Sequence, residues 1–454
     1  MESKTKLTGR VIFRGDLGYE EARKNWNPYV DTFPLVFVFA QSTEDVANAI
    51  RWARENCVPI RTRSGRHALD KKLSVVRDGI VIDVGDMYKA RLDKEEEVVT
   101  VQTGSRVGPL VKWLAKEGFI APFGDSPTVG IGGITLGGGL GSLTRAVGLL
   151  SDNLIGLEMV NYEGCVIHAD ECHNSDLLWA SRGGGGGNFG INTAYKFKVV
   201  RAPDKATGFE IIWPWNQWEA VFEVWQNWAP FVDERLGCFL EILSQVNGLL
   251  HVRGIFLGLK EEANCLLEPL TSTGTPTINI VTLPYPEVVE YFLPDEPARS
   301  EQSTKFSSAW AIDLLPNEAV RIIRRFLEES TGTEAGFFFQ SWGGAVSRIS
   351  PEATAFFWRC PKFYLEWNSS WTEDSGEQRN IAMVERTRQQ LQPFVAGSYV
   401  NVPDEFIEDF GPAYYGTNFA RLREVKAKYD PKNVFNHPQS IPPARGCSGK
   451  PDRK

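Results

Sequence analysis

The spacing of apolar residues changes period along this chain. PLVFVFA (34–40) is a continuous apolar run of strand length. In the segment after it, STEDVANAIRWAREN (42–56), Val46, Ala49, Ile50 and Ala53 recur on one helical face. Ser42 with Asp45 three residues on is an N-cap signature. GIVIDVG (79–85) and VVTVQTG (98–104) read as further short strands, and VGPLVKWLAKEG (107–118) as a helix stopped by Gly118. Strand and helix patterns in alternation predict α/β organisation for this part.

From about residue 204 the texture differs. IIWPWNQWEAVFEVWQNWAPF (211–231) holds five tryptophans and resembles a sugar-stacking platform at first sight. Trp218, Val221, Phe222, Trp225 and Trp228 nevertheless fall at helical spacing, which predicts one helix face laid on a sheet. LLHVRGIFLGL (249–259) and FYLEWNSSW (363–371) alternate, as strands of an antiparallel sheet do. In the second of these, Tyr364, Glu366 and Asn368 share one face, and Phe363, Leu365, Trp367 and Trp371 the other. TNFARLREVKAKYDPKN (417–433) predicts a helix from Thr417 with Phe419, Leu422 and Val425 inward, stopped at Pro431. There is no internal repeat and no low-complexity linker.

At 454 residues the chain exceeds what one hydrophobic core usually holds, so two or three domains are expected. Lys and Arg number 49 against 57 Asp and Glu, a net charge of −8 with no basic stripe, which argues against a nucleic-acid partner. The start, MESKTKLTGRVIF, has no apolar stretch followed by a cleavage site, and no run approaches the roughly 18 apolar residues of a membrane span. A cytoplasmic protein is expected. Seven cysteines, scattered and odd in number, do not form a disulfide framework. C-x-x-C, H-E-x-x-H, P-loop and G-x-S-x-G patterns are all missing. CVIHADECH brings Cys165, His168, Cys172 and His173 close in sequence, but it follows a strand and tight turn (LIGLEMVNYEG), so CVIHA reads as a returning strand. Alternation then sends Cys165 and His168 to opposite faces, and no metal site is expected.

Two segments concentrate glycine: FGDSPTVGIGGITLGGGLG (123–141) and SRGGGGGNFGINT (181–193). Glycine costs chain entropy, so such runs serve positive φ angles or a backbone lying close against another group, of which a dinucleotide pyrophosphate is the usual case. GGGNFG (185–190) spells G-x-G-x-x-G, yet it follows the helical SDLLWAS and leads into the strand pattern TAYKFKVV. That order is wrong for a Rossmann fingerprint. RTRSGRHALD (61–70) sets His67, one of only five histidines, in a loop of small residues and arginines.

RSGRH, GDSPTVGIGGITLGGGLG, DLLWASRGGGGGNFGI and the C-terminal YYGTNFARLREVKAKYDPKNVFNHPQSIPP together resemble the berberine bridge enzyme-like flavoproteins of the vanillyl-alcohol oxidase and p-cresol methylhydroxylase superfamily. The resemblance runs almost end to end. It implies an α+β protein: an FAD-binding α/β domain (1–203), a substrate domain with an antiparallel sheet covered by helices (204–410), and a C-terminal segment (411–454) that returns to the FAD domain.

By the same resemblance FAD is held by Arg63, Ser64, Gly65, Arg66 and His67; by Ser126, Thr128, Val129, Gly130, Gly132, Gly133, Gly138, Gly139 and Gly141; and by Gly190, Ile191, Asn433 and Asn436. His67 matches the histidine bonded to the flavin 8α-methyl, a role for which a neutral imidazole is a competent nucleophile. Arg63 and Arg66 can offset phosphate charge. Relatives often have cysteine where Ser126 stands, with a second bond to the flavin, so a single tether is expected here. Arg66 occupies a position where relatives commonly have glycine. Val129 matches a valine that goes with fast reaction of reduced flavin with dioxygen.

Glu366 matches a family glutamate or glutamine that acts as base or substrate hydrogen-bond partner. Tyr414 matches the tyrosine base of several sugar and antibiotic oxidases, with Tyr415 as its competitor, since adjacent strand residues face oppositely and the sequence does not show the register; Asn368 lies beside Glu366. The activity implied is that of an FAD-dependent oxidase. Hydride passes from a hydroxyl-bearing carbon of a sugar-like or aromatic metabolite to flavin N5, and dioxygen reoxidises the flavin to give hydrogen peroxide. Oxidative C–C or C–N bond formation, amine oxidation, and a low-turnover coat or storage flavoprotein are the alternatives.

Overall fold

Strands Arg10–Phe13, Val36–Phe39, Ile80–Asp83 and Ile60–Arg63 lie side by side in that order in the first sheet, the last three parallel. Val36–Phe39 and Ile80–Asp83 are buried at every position, as parallel strands covered on both faces must be. Helix Thr43–Glu55 makes the crossover from Val36–Phe39 to Ile60–Arg63, and its start carries the expected capping box: Asp45 N–H donates to Ser42 Oγ at 3.2 Å while Ser42 N–H donates to Asp45 Oδ2 at 3.0 Å. This computed structural model describes residues 5–29, 32–69, 73–120, 124, 126–293, 300–330 and 334–444.

A second, antiparallel sheet runs Ala90–Asp93, Val98–Gln102, Ile191–Lys198, Leu154–Val160 and Val166–Asp170, the last two being the hairpin expected around residue 161. The C-terminal helix returns to this half. Lys428 Nζ and Tyr429 Oη both donate to the Asp176 carboxylate on helix Ser175–Ser181, at 2.7 and 2.8 Å. That helix spans Phe419–Tyr429, two residues later than expected, because Gly416–Asn418 form a 3-10 turn first.

The third sheet has seven antiparallel strands in the order Thr277–Pro284, Lys205–Ile212, Leu250–Phe256, Leu236–Leu243, Ala335–Ser341, Phe363–Trp371, Ser303–Ala311. Helices Trp218–Trp228, Lys260–Thr271, Asn317–Glu329 and Glu377–Leu391 cover one face. Trp218, Val221, Phe222 and Trp225 are core there, with Phe363, Leu365 and Trp367 opposite them, so the tryptophan-rich helix is a packing element. The opposite face is turned toward the first two sheets, where Gln340 Nε2 donates to the Gly141 carbonyl at 2.8 Å. No described helix is long and apolar enough to cross a membrane.

Candidate functional site

Between the polar face of the large sheet and the glycine segments lies a cavity of about 490 Å³, within the usual span of small-molecule and cofactor sites. Its floor is the close meeting of two loops. A Cβ on Gly65 would stand 2.1 Å from Gly130 N, and one on Gly130 would stand 2.2 Å from Gly65 N, so only a pair of glycines allows the contact. Ser64 Oγ donates to the Thr103 carbonyl at 2.6 Å and fixes the first loop to the second sheet. Gly133 and Gly186 border the same cavity with their Cβ positions almost empty, so bare backbone is presented to whatever fills it.

His67 lies on that first loop and lines the cavity. Its Nε2 is 2.7 Å from Thr128 Oγ1, and its ring is stacked on Trp26 with centroids 5.1 Å apart. Burial, helped by the positive Arg106, pulls the imidazole down to about 4, so it is neutral at physiological pH. Arg63 and Arg66 also border the cavity, but both guanidinium groups are held by the buried carboxylate of Asp83, at 2.6 and 3.1 Å. Two cations share that one carboxylate, so a net positive charge remains beside the cavity.

Arg66 has φ 63, in the left-handed region where a side chain strains the backbone and glycine is favoured. Arg66→Gly should relieve that strain while losing the pair with Asp83, whose buried carboxylate keeps Arg63 as its partner. We expect stability within about 1 kcal/mol of wild type by urea unfolding.

The large sheet contributes Glu366 from the strand face read from sequence. Tyr364 Oη donates to Glu366 Oε2 at 2.7 Å. Burial pushes the Glu366 carboxyl up to about 7, Tyr364 opposing and the negative charge of Glu241 adding to the rise. Tyr414 and Tyr415 both border the cavity, but they sit on the short helix Phe410–Tyr415, not on a strand, so they do not face oppositely as alternation would require. Tyr414 Oη accepts from Asp404 N–H at 3.0 Å and donates to Gln439 Oε1 at 2.9 Å, a linking position between two loops. Burial raises the Tyr415 phenol.

Several expected residues serve the scaffold. Gly138 and Gly139 pack against Phe356 and Leu150, and the Gly141 carbonyl takes the Gln340 bond. Ile191 is buried among the apolar residues of the first sheet. Asn433 has φ 50 and turns the chain after the last helix. Asn368 lies two residues beyond Glu366 and does not reach the cavity. Ser126, Val129, Gly130, Gly132, Gly133, Gly190 and Asn436 do line it, and Thr128 touches it through His67.

Sequence reasoning missed Tyr399, Asn401, Asn188 and Lys426. Tyr399 lines the cavity beside Tyr364, and its hydroxyl accepts from Gly139 N–H at 3.0 Å and from Asn401 Nδ2 at 2.8 Å. The available signal was GSYVNVPD, a segment with neither period that nonetheless carries an aromatic and an amide. Lys426, fully buried, donates to Asp430 Oδ2, the Asn188 carbonyl and the Phe435 carbonyl at 2.7, 2.6 and 2.8 Å. It clamps the second glycine loop to the C-terminal segment, and no sequence pattern marks it.

These residues fit FAD. Bare glycine backbone lies along the cavity, and the buried Asn192 Oδ1 borders it without a protein partner, as an acceptor awaiting a ligand donor would. Residues 34–170 match the family model described as FAD binding domain, and residues 398–442 the one described as berberine and berberine like. The FAD-linked oxidoreductase YvdP of Bacillus subtilis is 66% identical over 97% of this chain and 99% of its own length. Among solved structures, berberine bridge enzyme-like 1 of Physcomitrella patens has a TM-score of 0.90 at 27% identity, covering 97% of this chain and 98% of that one. Chitooligosaccharide oxidase has a TM-score of 0.86 at 26% identity, with 96% and 98% covered.

Proposed function

Because the chain belongs to the berberine bridge enzyme-like family of FAD-linked oxidoreductases, we propose that it is an oxidase with FAD tethered through His67, acting on a hydroxyl-bearing carbon of a sugar-like or aromatic metabolite. FAD, when bound, supplies the hydride acceptor and passes the electrons to dioxygen, giving hydrogen peroxide. On this reading residues 1–203 and 411–454 form the cofactor unit and 204–410 the substrate unit. A single observation carries the proposal: a carboxyl held near pKa 7, Glu366, faces the same cavity as a neutral imidazole and a glycine cradle.

Glu366 takes the substrate hydroxyl proton as hydride leaves the adjoining carbon, and a base titrating near 7 suits that task at physiological pH. Tyr364 holds the carboxylate in place through Oε2. Tyr414 links loops through Gln439 and the Asp404 amide, so Glu366 is the principal base. Aromatic walls from Trp26, Phe306 and Tyr399 exclude water and offer flat surfaces to a ring. His67 holds the cofactor, and Ser126 adds no second tether.

The test is an anaerobic screen of alcohols, sugars and amines followed by absorbance at 450 nm. An alcohol or sugar that bleaches the flavin, with hydrogen peroxide formed on admitting air, supports the reading. The bleaching rate should rise as pH passes through about 7 and level off above it, since only ionised Glu366 is a base. Bleaching by amines alone, or slow reoxidation in air, contradicts it.

A further inference from the structure

The segment that carries Trp26, so far only a wall of the cavity stacked on His67, also grips the His67 loop on both sides. Trp26 N–H donates to the Arg66 carbonyl at 2.8 Å, one residue before the histidine. Asn27, with no exposed surface, donates from Nδ2 to the Leu69 carbonyl at 3.1 Å, two residues after it, and to the Thr304 carbonyl at 2.8 Å. Its Oδ1 accepts from Thr304 N–H at 3.1 Å and Tyr29 N–H at 3.2 Å, so the amide's hydrogen-bonding capacity is used in full. Thr304 belongs to strand Ser303–Ala311 of the large sheet. A saturated buried amide is costly to disrupt, so the loop is tied at once to the N-terminal segment and to the substrate side.

What this seat delivers is the indole. Trp26 lies nearly parallel to the imidazole, 23° between planes, and is braced on Phe306 at 6.4 Å. Thr128 Oγ1 holds the ring edge at Nε2. Rotation within the ring plane is set by Thr128, and the plane itself by Trp26. With the ring proton on Nε2, Nδ1 carries the lone pair.

We propose that Trp26, seated by Asn27, is a positioning residue for covalent attachment of the flavin, fixing the imidazole plane of His67 for bond formation. This rests on the reading that His67 is the attachment point. In that step a C–N bond forms between the ring nitrogen and the 8α-carbon. One hydrogen is lost from the methyl group and one from the imidazole, and the two electrons pass to the flavin and then to dioxygen as hydrogen peroxide. Misplacing one reacting atom by about 1 Å costs roughly a hundredfold in rate, so losing a flat support should slow attachment far more than binding.

The experiment compares full-length wild type, Trp26→Leu, Trp26→Phe and His67→Ala. Total flavin per chain is read from native absorbance, and covalent flavin from the mass of the denatured chain. Trp26→Leu should still bind FAD while the covalent share falls about tenfold or more, and Trp26→Phe, which keeps a ring face, should restore most of it. Should Trp26→Leu not fold, Trp26→Met fills similar space without the flat face and carries the same expectation. A covalent share in the leucine or methionine variant equal to wild type overturns the role of Trp26 and leaves that of His67 standing. Wild type without covalent flavin overturns both.

Discussion

Replacing Glu366 with glutamine should lower the rate of flavin reduction by substrate about 10²–10⁴-fold while leaving flavin content unchanged. Glutamine keeps the shape and can still accept the Tyr364 hydroxyl, so the variant removes the proton-accepting charge and little else. In wild type the carboxyl titrates near 7 because burial disfavours its charge, so the reductive rate climbs across that pH. The glutamine variant should lose the climb as well as the rate. Stopped-flow absorbance at 450 nm across pH 5 to about 9 reads both effects. A variant with wild-type rate would move the base elsewhere, and Tyr399 or Tyr415 would be the next residues to replace.

The largest expected effect on stability belongs to Lys426. Its ammonium and the Asp430 carboxylate are both fully buried, 2.7 Å apart, and Asp430 also accepts from the backbone of Val434 and Phe435. Lys426→Met leaves that carboxylate buried without its cation, which costs about 3–5 kcal/mol. Because the same ammonium holds the carbonyls of Asn188 and Phe435, the second glycine loop and the C-terminal segment should loosen together. We expect a lowered urea midpoint and reduced flavin per purified chain. Unchanged midpoint and flavin content would mean that the clamp is dispensable.

Where burial and period coincide, sequence and structure agree. The capped helix after Ser42, the tryptophan helix and the two faces of Phe363–Trp371 follow from spacing alone, because each buries one side against a sheet. Glycine runs indicate close approach, but not which glycine meets ligand and which meets protein. Gly65 with Gly130 makes the cradle floor, whereas Gly138 and Gly139 fit Phe356 and Leu150. Tyr414 and Tyr415 show the limit of a period argument, since a segment ending in Tyr-Tyr-Gly carries too few residues to distinguish a short helix from a strand. Tyr399, Lys426 and Trp26 are set by no period: besides near partners such as Asn401 and Asp430, each depends on a residue far away in sequence. Trp26 meets His67, and Lys426 meets Asn188.

The central claim is the bond between His67 and flavin, and intact mass under denaturing conditions tests it most directly. Wild type should weigh one FAD more than its bare chain, while His67→Ala should weigh the bare chain alone and still be yellow when native. Wild-type chain at bare mass would contradict the account.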